Sequence, residues 1–239
     1  REGMVDLLAT KLSGTMTLRP ADPRTILNAW RHASARGDLP ESTALSLVAR
    51  LGAGRLISGE IVGSGSRFTI SAALLQAPDG RVQARAAVEG SPDGLTPLVD
   101  QLAAKLLALG AGEPEQRLTN LTSTPLPALR AYLDGQVLLR RTAFEAALRK
   151  FEQALAADST FALAALGIVR ARFETDGDLM NPGVQAAWRL RDRLSPHDRA
   201  FLEVLLGPRY PLMESGPDRL SRAERFTQLA PDSPDAWCL

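Results

Sequence analysis

The sequence predicts a mixed α/β domain followed by an all-α helical repeat array. Three observations support this fold class. Apolar and polar residues alternate over two segments, 68–74 and 82–88, apolar residues recur at helical spacing on either side of the strand region, and from residue 128 onward only helical spacing occurs. We therefore expect an α/β domain at 1–112, a linker at 113–127 and a helical domain at 128–239.

Composition restricts the function classes. The chain has 239 residues, and its only cysteine, Cys238, rules out an internal disulfide framework. Two histidines, His32 and His197, make a zinc site unfavourable, because zinc needs three or four closely grouped ligands. We expect neither a metal nor another cofactor.

Charge and hydropathy disfavour a nucleic-acid-binding domain and a transmembrane segment. The formal net charge is +1, without the basic excess of a nucleic-acid-binding domain. No run of about 18 apolar residues occurs, so no transmembrane segment is expected. Membrane association would need a segment outside this sequence or a partner.

Helices are expected at the start of the first domain. Val5–Leu12 has apolar residues at helical spacing, Asp22 and Pro23 form an N-cap and first position, and Pro40 precedes a third helix. A short strand is expected at Thr15–Leu18. The remaining 110–127 stretch is rich in glycine, proline, threonine and serine, which is typical of a linker.

The next elements predict an antiparallel meander with a covering helix. Leu56–Val62, Phe68–Leu74 and Val82–Val88 read as three strands, and Pro78–Gly80 supplies a turn between the last two. Leu95–Leu109 then follows with helical spacing.

The second half carries a repeat pattern. Tetratricopeptide units are about 34 residues long and place small residues where two antiparallel helices cross. Counted from Ala128, Gly135 falls at position 8, Ala147 at 20, Phe151 at 24 and Ala154 at 27. These positions predict helices at 129–140 and 144–157 that approach closely.

Later repeats are less regular. A second unit begins at Ala162, its second helix is displaced, and Trp188, Leu190 and Leu194 are expected to resume a helical pattern. Ser195 is expected to cap the helix that follows, and Ala230–Trp237 matches a repeat boundary.

A family resemblance rests on short segments of both halves. Leu51–Gly59, Gly65–Ala72 and Leu95–Leu109 resemble the amino-terminal domain of TolB and its relatives, and Leu129–Gly135 and Leu194–Arg199 resemble the tetratricopeptide region that follows such a domain. This combination is similar to regions of bacterial receptor-type serine/threonine kinases, transcriptional activators and adenylate cyclases. The resemblance implies no catalytic residues here, and implies a first strand that this sequence lacks.

Two segments invite a catalytic interpretation that their spacing disfavours. Gly63–Gly65 is followed by a strand, whereas a phosphate-binding loop leads into a helix N-terminus. Ser195, His197 and Asp198 have the residue types of a nucleophilic triad, but helix capping explains them.

The best candidate surface lies on the repeats. Tyr132, Gln136 and Arg140 form an i, i+4, i+8 row, which Arg170 and Glu174 would continue on the next unit. Concave solenoid faces use such rows to bind partners. We therefore expect a non-catalytic scaffold that docks a protein partner on this row, and the resemblance implies that it belongs to a bacterial signalling protein.

Three alternatives stay open: an accessory structural subunit of a membrane-bound assembly, an enzyme with a pocket between the two parts, and a direct nucleic-acid binder. The extracytoplasmic face of a membrane is favoured over the cytoplasm, without a firm localisation.

Overall fold

The fold is that of a computed structural model, which describes residues 2–16, 18–34, 39–64, 66–175, 177–212 and 216–229. The chain divides into two compact units, Arg1–Leu126 and Pro127–Leu239. Helices and a three-stranded antiparallel sheet make up its regular structure, which confirms the mixed α/β class. Within the described ranges, no helix is both long enough and apolar enough to cross a bilayer.

The first unit contains the sheet and five helices along its described residues. In chain order its elements are α1 (Glu2–Leu12), α2 (Pro23–Ala33), α3 (Glu41–Arg50), β1 (Arg55–Ser64), β2 (Arg67–Gln76), β3 (Val82–Gly90), α4 (Leu95–Gly110) and α5 (Glu115–Ser123).

The strands form the expected meander in the order β1–β2–β3, with both pairs antiparallel. On β2 one face is apolar and buried, through Ile70, Ala72 and Leu74. The helix α4 packs on β2 and β3, where Leu98 lies against Gly90 and Leu74 lies against Gly110. The alternating pattern thus produces a one-sided sheet covered by a helix.

Two local expectations for this unit differ from the structure. No strand forms among the described residues of Thr15–Leu18, where the Leu18 N–H donates to the Thr15 hydroxyl at 3.1 Å. The segment expected as a linker contains the nine-residue helix α5, which packs on α4 and buries Leu121 completely.

Within the described residues, every regular element of the second unit is a helix. Its elements are α6 (Leu126–Arg140), α7 (Phe144–Ala157), α8 (Ala162–Phe173), α9 (Pro182–Arg189), α10 (Pro196–Leu206) and α11 (Gly216–Leu229), with a 3₁₀ turn at Arg191–Arg193. Of the residues expected to resume a helical pattern, Trp188 lies in α9, whereas Leu190 and Leu194 flank the 3₁₀ turn because α9 ends at Arg189. The boundary expected at Ala230–Trp237 lies outside the described residues.

Side-chain caps fix two helix starts where the sequence predicts them. The Asp22 carboxylate accepts the Thr25 N–H at 2.9 Å, and the Ser195 hydroxyl accepts the Asp198 N–H at 3.1 Å. Each satisfies a main-chain donor that the first helical turn leaves unpaired.

Candidate protein-interaction surface

Three aromatic rings form the centre of α6, α7 and α8. Tyr132 of α6 lies 5.9 Å from Phe151 of α7 and 5.1 Å from Phe161, which precedes α8, measured between ring centroids. Both ring pairs are tilted, the arrangement that aromatic quadrupoles favour. Tyr132 and Phe151 are fully buried.

Two glycines make room for the ring of Phe151. A Cβ atom on Gly135 of α6 or on Gly167 of α8 would lie 2.6 Å from a carbon of this ring. No real side chain tolerates such a distance, so the two helices can flank Phe151 only because both positions lack a side chain. The packing role predicted for Gly135 is therefore present, and Gly167 repeats it on the next helix.

The structure places two residues of the expected docking row in the core. Tyr132 has no exposed surface, and Gln136 is 7% exposed. The expectation that these side chains form part of an open stripe is wrong, because α6 is buried on most of its circumference and not on one face alone. A partner cannot reach them without unfolding the helix.

The other three residues of the row stay accessible to different degrees. Arg140 and Glu174 are exposed, whereas Arg170 is half-buried and its guanidinium carbon lies 5.4 Å from the ring centroid of Phe201. That distance is within the range of a cation–π contact. Arg170 is thus held on the aromatic ring of α10.

Arg140 and Glu174 lie at the same end of the helical layer. Lys150 contacts Asp134 and Arg172 contacts Glu152, so each contact joins residues on either side of a short loop. These pairings show that α7 runs antiparallel to both α6 and α8. The C-terminal ends of α6 and α8 therefore point in the same direction, and both exposed charges belong to these ends.

The sequence places Asp134 where a tetratricopeptide unit usually has a large apolar residue, but its burial was not predicted. Asp134 is 5% exposed, and its Oδ2 atom lies 3.3 Å from Nζ of Lys150. Because burial of an unpaired carboxylate is costly, the pair fixes the register of α6 against α7. The signal was an acidic residue within an otherwise apolar helix face.

A second missed cluster surrounds the end of α9. The guanidinium of Arg191 lies 4.7 Å from the ring centroid of Trp188 and donates to the Trp188 carbonyl at 2.7 Å. Trp188 also packs against Tyr210, whose hydroxyl donates to the carbonyl of Leu179. Burial raises the pKa of the Tyr210 hydroxyl, and the negative charge of Asp178 adds to this effect. These contacts give the cluster a role in packing.

The residues of the triad interpretation are in contact, but in an order that suits capping. The Ser195 hydroxyl donates to Oδ2 of Asp198 at 2.8 Å, and Asp198 is 1% exposed. Nδ1 of His197 lies 3.7 Å from Oδ1 of the same carboxylate. Hydrolytic triads place the imidazole between serine and carboxylate, whereas here the carboxylate is the central group. The arrangement closes the first turn of α10.

The glycine segment at the end of β1 belongs to a hairpin. Gly63 pairs with Phe68 of β2 within a continuous antiparallel register, so strand follows strand as the sequence predicts; Gly65 lies outside the described residues. Over the described chain, no cluster of three or more His, Cys, Asp or Glu residues could hold a metal ion.

Comparisons of the chain with family models, with curated proteins and with solved structures find no match. The likeness to TolB-type and tetratricopeptide domains thus stays a prediction from the sequence.

Proposed function

We propose that this chain is a non-catalytic interaction module whose second unit stacks tetratricopeptide-like hairpins to dock a protein partner. The proposed pairs are α6 with α7 and α8 with α9. As an expectation from the resemblance, the module serves a bacterial signalling protein.

The observation that carries this proposal is the position of the Phe151 ring between Gly135 and Gly167. One ring fills the space that both glycines leave, so the first helix of each hairpin contacts the same residue of α7. Repeat proteins bury a continuous core in this way, with each unit resting on the next. The spacing of the small residues supports the same arrangement.

The proposed docking surface comprises the exposed C-terminal ends of α6 and α8. Arg140 and Glu174 extend from these ends, and Arg170 lies beside them on Phe201. A surface with both signs of charge selects its partner through charge complementarity, which governs specificity and the rate of association. We expect a partner segment that presents an acidic group toward Arg140 and a basic group toward Glu174.

A charge exchange tests the surface. The variant Arg140→Glu with Glu174→Arg keeps the net charge and reverses the pattern. Full-length protein is immobilised, incubated with lysate of the source cells, and the retained proteins are quantified by mass spectrometry. We expect the exchange to reduce recovery of the specific partner at least about tenfold, because like charges then face each other.

A matched exchange in the first unit serves as the control. Arg24→Glu with Glu41→Arg also swaps two exposed charges without changing their sum. Equal recovery with both exchanged proteins, or no protein retained by the unchanged chain, would contradict the proposal. Circular dichroism should show the same helix content in all three proteins.

A further inference from the structure

One edge of the sheet is open. Every residue of β1 from Ser58 to Gly63 is exposed, including Gly59 and Gly63, which present only main chain to solvent. Within the described chain, no main-chain hydrogen bond joins the stretch 56–63 to any element other than β2. An unpaired strand of this kind is a template for pairing with another chain.

The opposite edge differs in two respects. The β3 strand carries an irregularity, because Ala84 pairs with Leu74 and Val82 with Leu75, which leaves Gln83 as an extra residue. In addition, Nζ of Lys105 donates to the carbonyl of Ala87 at 2.8 Å. Bulges and lysine charges are devices that discourage edge pairing. The β1 edge has an unbroken ten-residue register and lacks a bulge.

The open edge also exposes apolar side chains on both faces. Ile61 is 50% exposed and Val62 is 62% exposed. Ile61 lies on the same face as Ile70, with which it pairs on β2, but α4 covers β2 and β3. Its neighbour Val62 extends to the other face. A strand added at this edge would cover both side chains.

We propose that β1 pairs antiparallel with β1 of a second copy of this chain, with the two-fold axis at Gly59. Ile57 then faces Ile61 of the second copy on one side of the sheet. Ser58 faces Glu60 of the second copy on the other side. This pairing would join two three-stranded sheets into one sheet of six strands. It concerns the first unit and does not depend on the docking surface of the second.

Side-chain complementarity selects this register. A two-fold axis perpendicular to a sheet keeps each face continuous only when the paired residue numbers sum to an even value. An axis at Glu60 would place the two Glu60 carboxylates opposite each other, and like charges in that position destabilise a sheet. An axis at Ser58 would place Arg55 against Ile61. With the axis at Gly59, the apolar residues meet each other: Ile57 with Ile61 and Leu56 with Val62.

The register predicts a specific cross-link. Two proteins are prepared in a Cys238→Ser background, one with Ser58→Cys and one with Glu60→Cys, each with a different affinity tag. The paired register brings Cα atoms of residues 58 and 60 of opposite copies to about 4.5–5.5 Å, within disulfide range. The two copies of residue 58 are diagonal neighbours across the strand pair, at about 7–8 Å, and so are the two copies of residue 60. On oxidation of the mixture we expect the mixed dimer to form at least about tenfold faster than either homodimer.

A second measurement follows association without cysteines. Sedimentation velocity of the unchanged 239-residue chain, over about a hundredfold range of concentration, should show a concentration-dependent dimer, since one strand edge is smaller than a standard interface. Val62→Lys should shift the protein to monomer with an unchanged circular dichroism spectrum, because that side chain is mostly exposed. A chain that stays monomeric at every concentration would overturn the proposal. So would homodimer cross-links as fast as the mixed one, or a dimer that Val62→Lys leaves intact; in the last case the two copies associate through a surface other than β1.

Discussion

The two units bury their helices by different means. In the first unit, α4 rests on a ladder of aliphatic side chains, and Leu74 and Leu98 each contact a glycine at the edge of the layer. In the second unit one aromatic ring, Phe151, fills the space beside two glycines on two different helices. The comparison indicates that packing is distributed in the sheet unit and concentrated in the helical unit.

The largest expected effect comes from removing the central ring. Phe151→Ala should cost about 3–5 kcal/mol of the free energy of unfolding, because a fully buried side chain leaves a cavity that two rigid helices cannot close. Hydrogen exchange monitored by mass spectrometry should show loss of protection in α6, α7 and α8 together. Leu74→Ala is the matched change in the sheet, with an expected cost of about 2–5 kcal/mol confined to β2, β3 and α4. If Phe151→Ala exposes α7 alone, the packing is not concentrated at this ring.

Local signals explain which parts of the fold the sequence predicts. Alternation of apolar residues identifies β2 and β3, since a strand covered on one face needs that period. Asp22 and Ser195 identify helix starts because a cap uses only neighbouring residues. The local sequence of each of these elements is therefore enough to predict it.

The features that the sequence analysis predicts wrongly depend on contacts between segments that are distant in the chain. Tyr132 and Gln136 have polar tips and read as surface residues, but α6 is buried on most of its circumference. The helix α5 has only nine residues, which is too short for a stable isolated helix, and Leu121 stabilises it by packing into the core. Of the expected docking row, only Arg140, Arg170 and Glu174 keep accessible surface, because burial around a helix cannot be read from its own spacing.

A smaller effect is expected from a cap in the helical unit. Ser195→Ala removes the acceptor for the Asp198 N–H and also the donor to the buried Asp198 carboxylate. Together these losses should cost about 1–3 kcal/mol. Chemical denaturation followed by tryptophan fluorescence measures this change, and Ser195→Thr, which retains the hydroxyl, should restore most of the stability. A Thr variant as unstable as the Ala variant would show that the hydroxyl is not the cause.

The smallest effect is expected from the corresponding cap in the sheet unit. Hydrogen bonds from the hydroxyl and then the main-chain N–H of Thr25 lower the pKa of the Asp22 carboxyl from its ordinary value of 3.8. Because the folded-state pKa is the lower one, the stabilisation is present above about pH 4 and is lost as the pH falls through the folded-state pKa.

Asp22→Asn keeps a capping oxygen but removes this titration. The free energy of unfolding of each protein is measured by urea denaturation from about pH 2 to pH 6. The value for the unchanged protein minus the value for Asp22→Asn should decrease as the pH falls. A difference that is independent of pH would contradict the assignment.

The hydrogen bond from Lys105 of α4 to the Ala87 carbonyl of β3 has a consequence for the size of an assembly. If β1 joins two copies, the outer strands of the combined sheet are the two β3 strands, each with its own lysine contact and irregular register. Neither end then offers a regular template for a third molecule. Pairing would close as a cyclic dimer instead of propagating into a fibre, which is the outcome expected when a self-complementary contact is used once by each subunit.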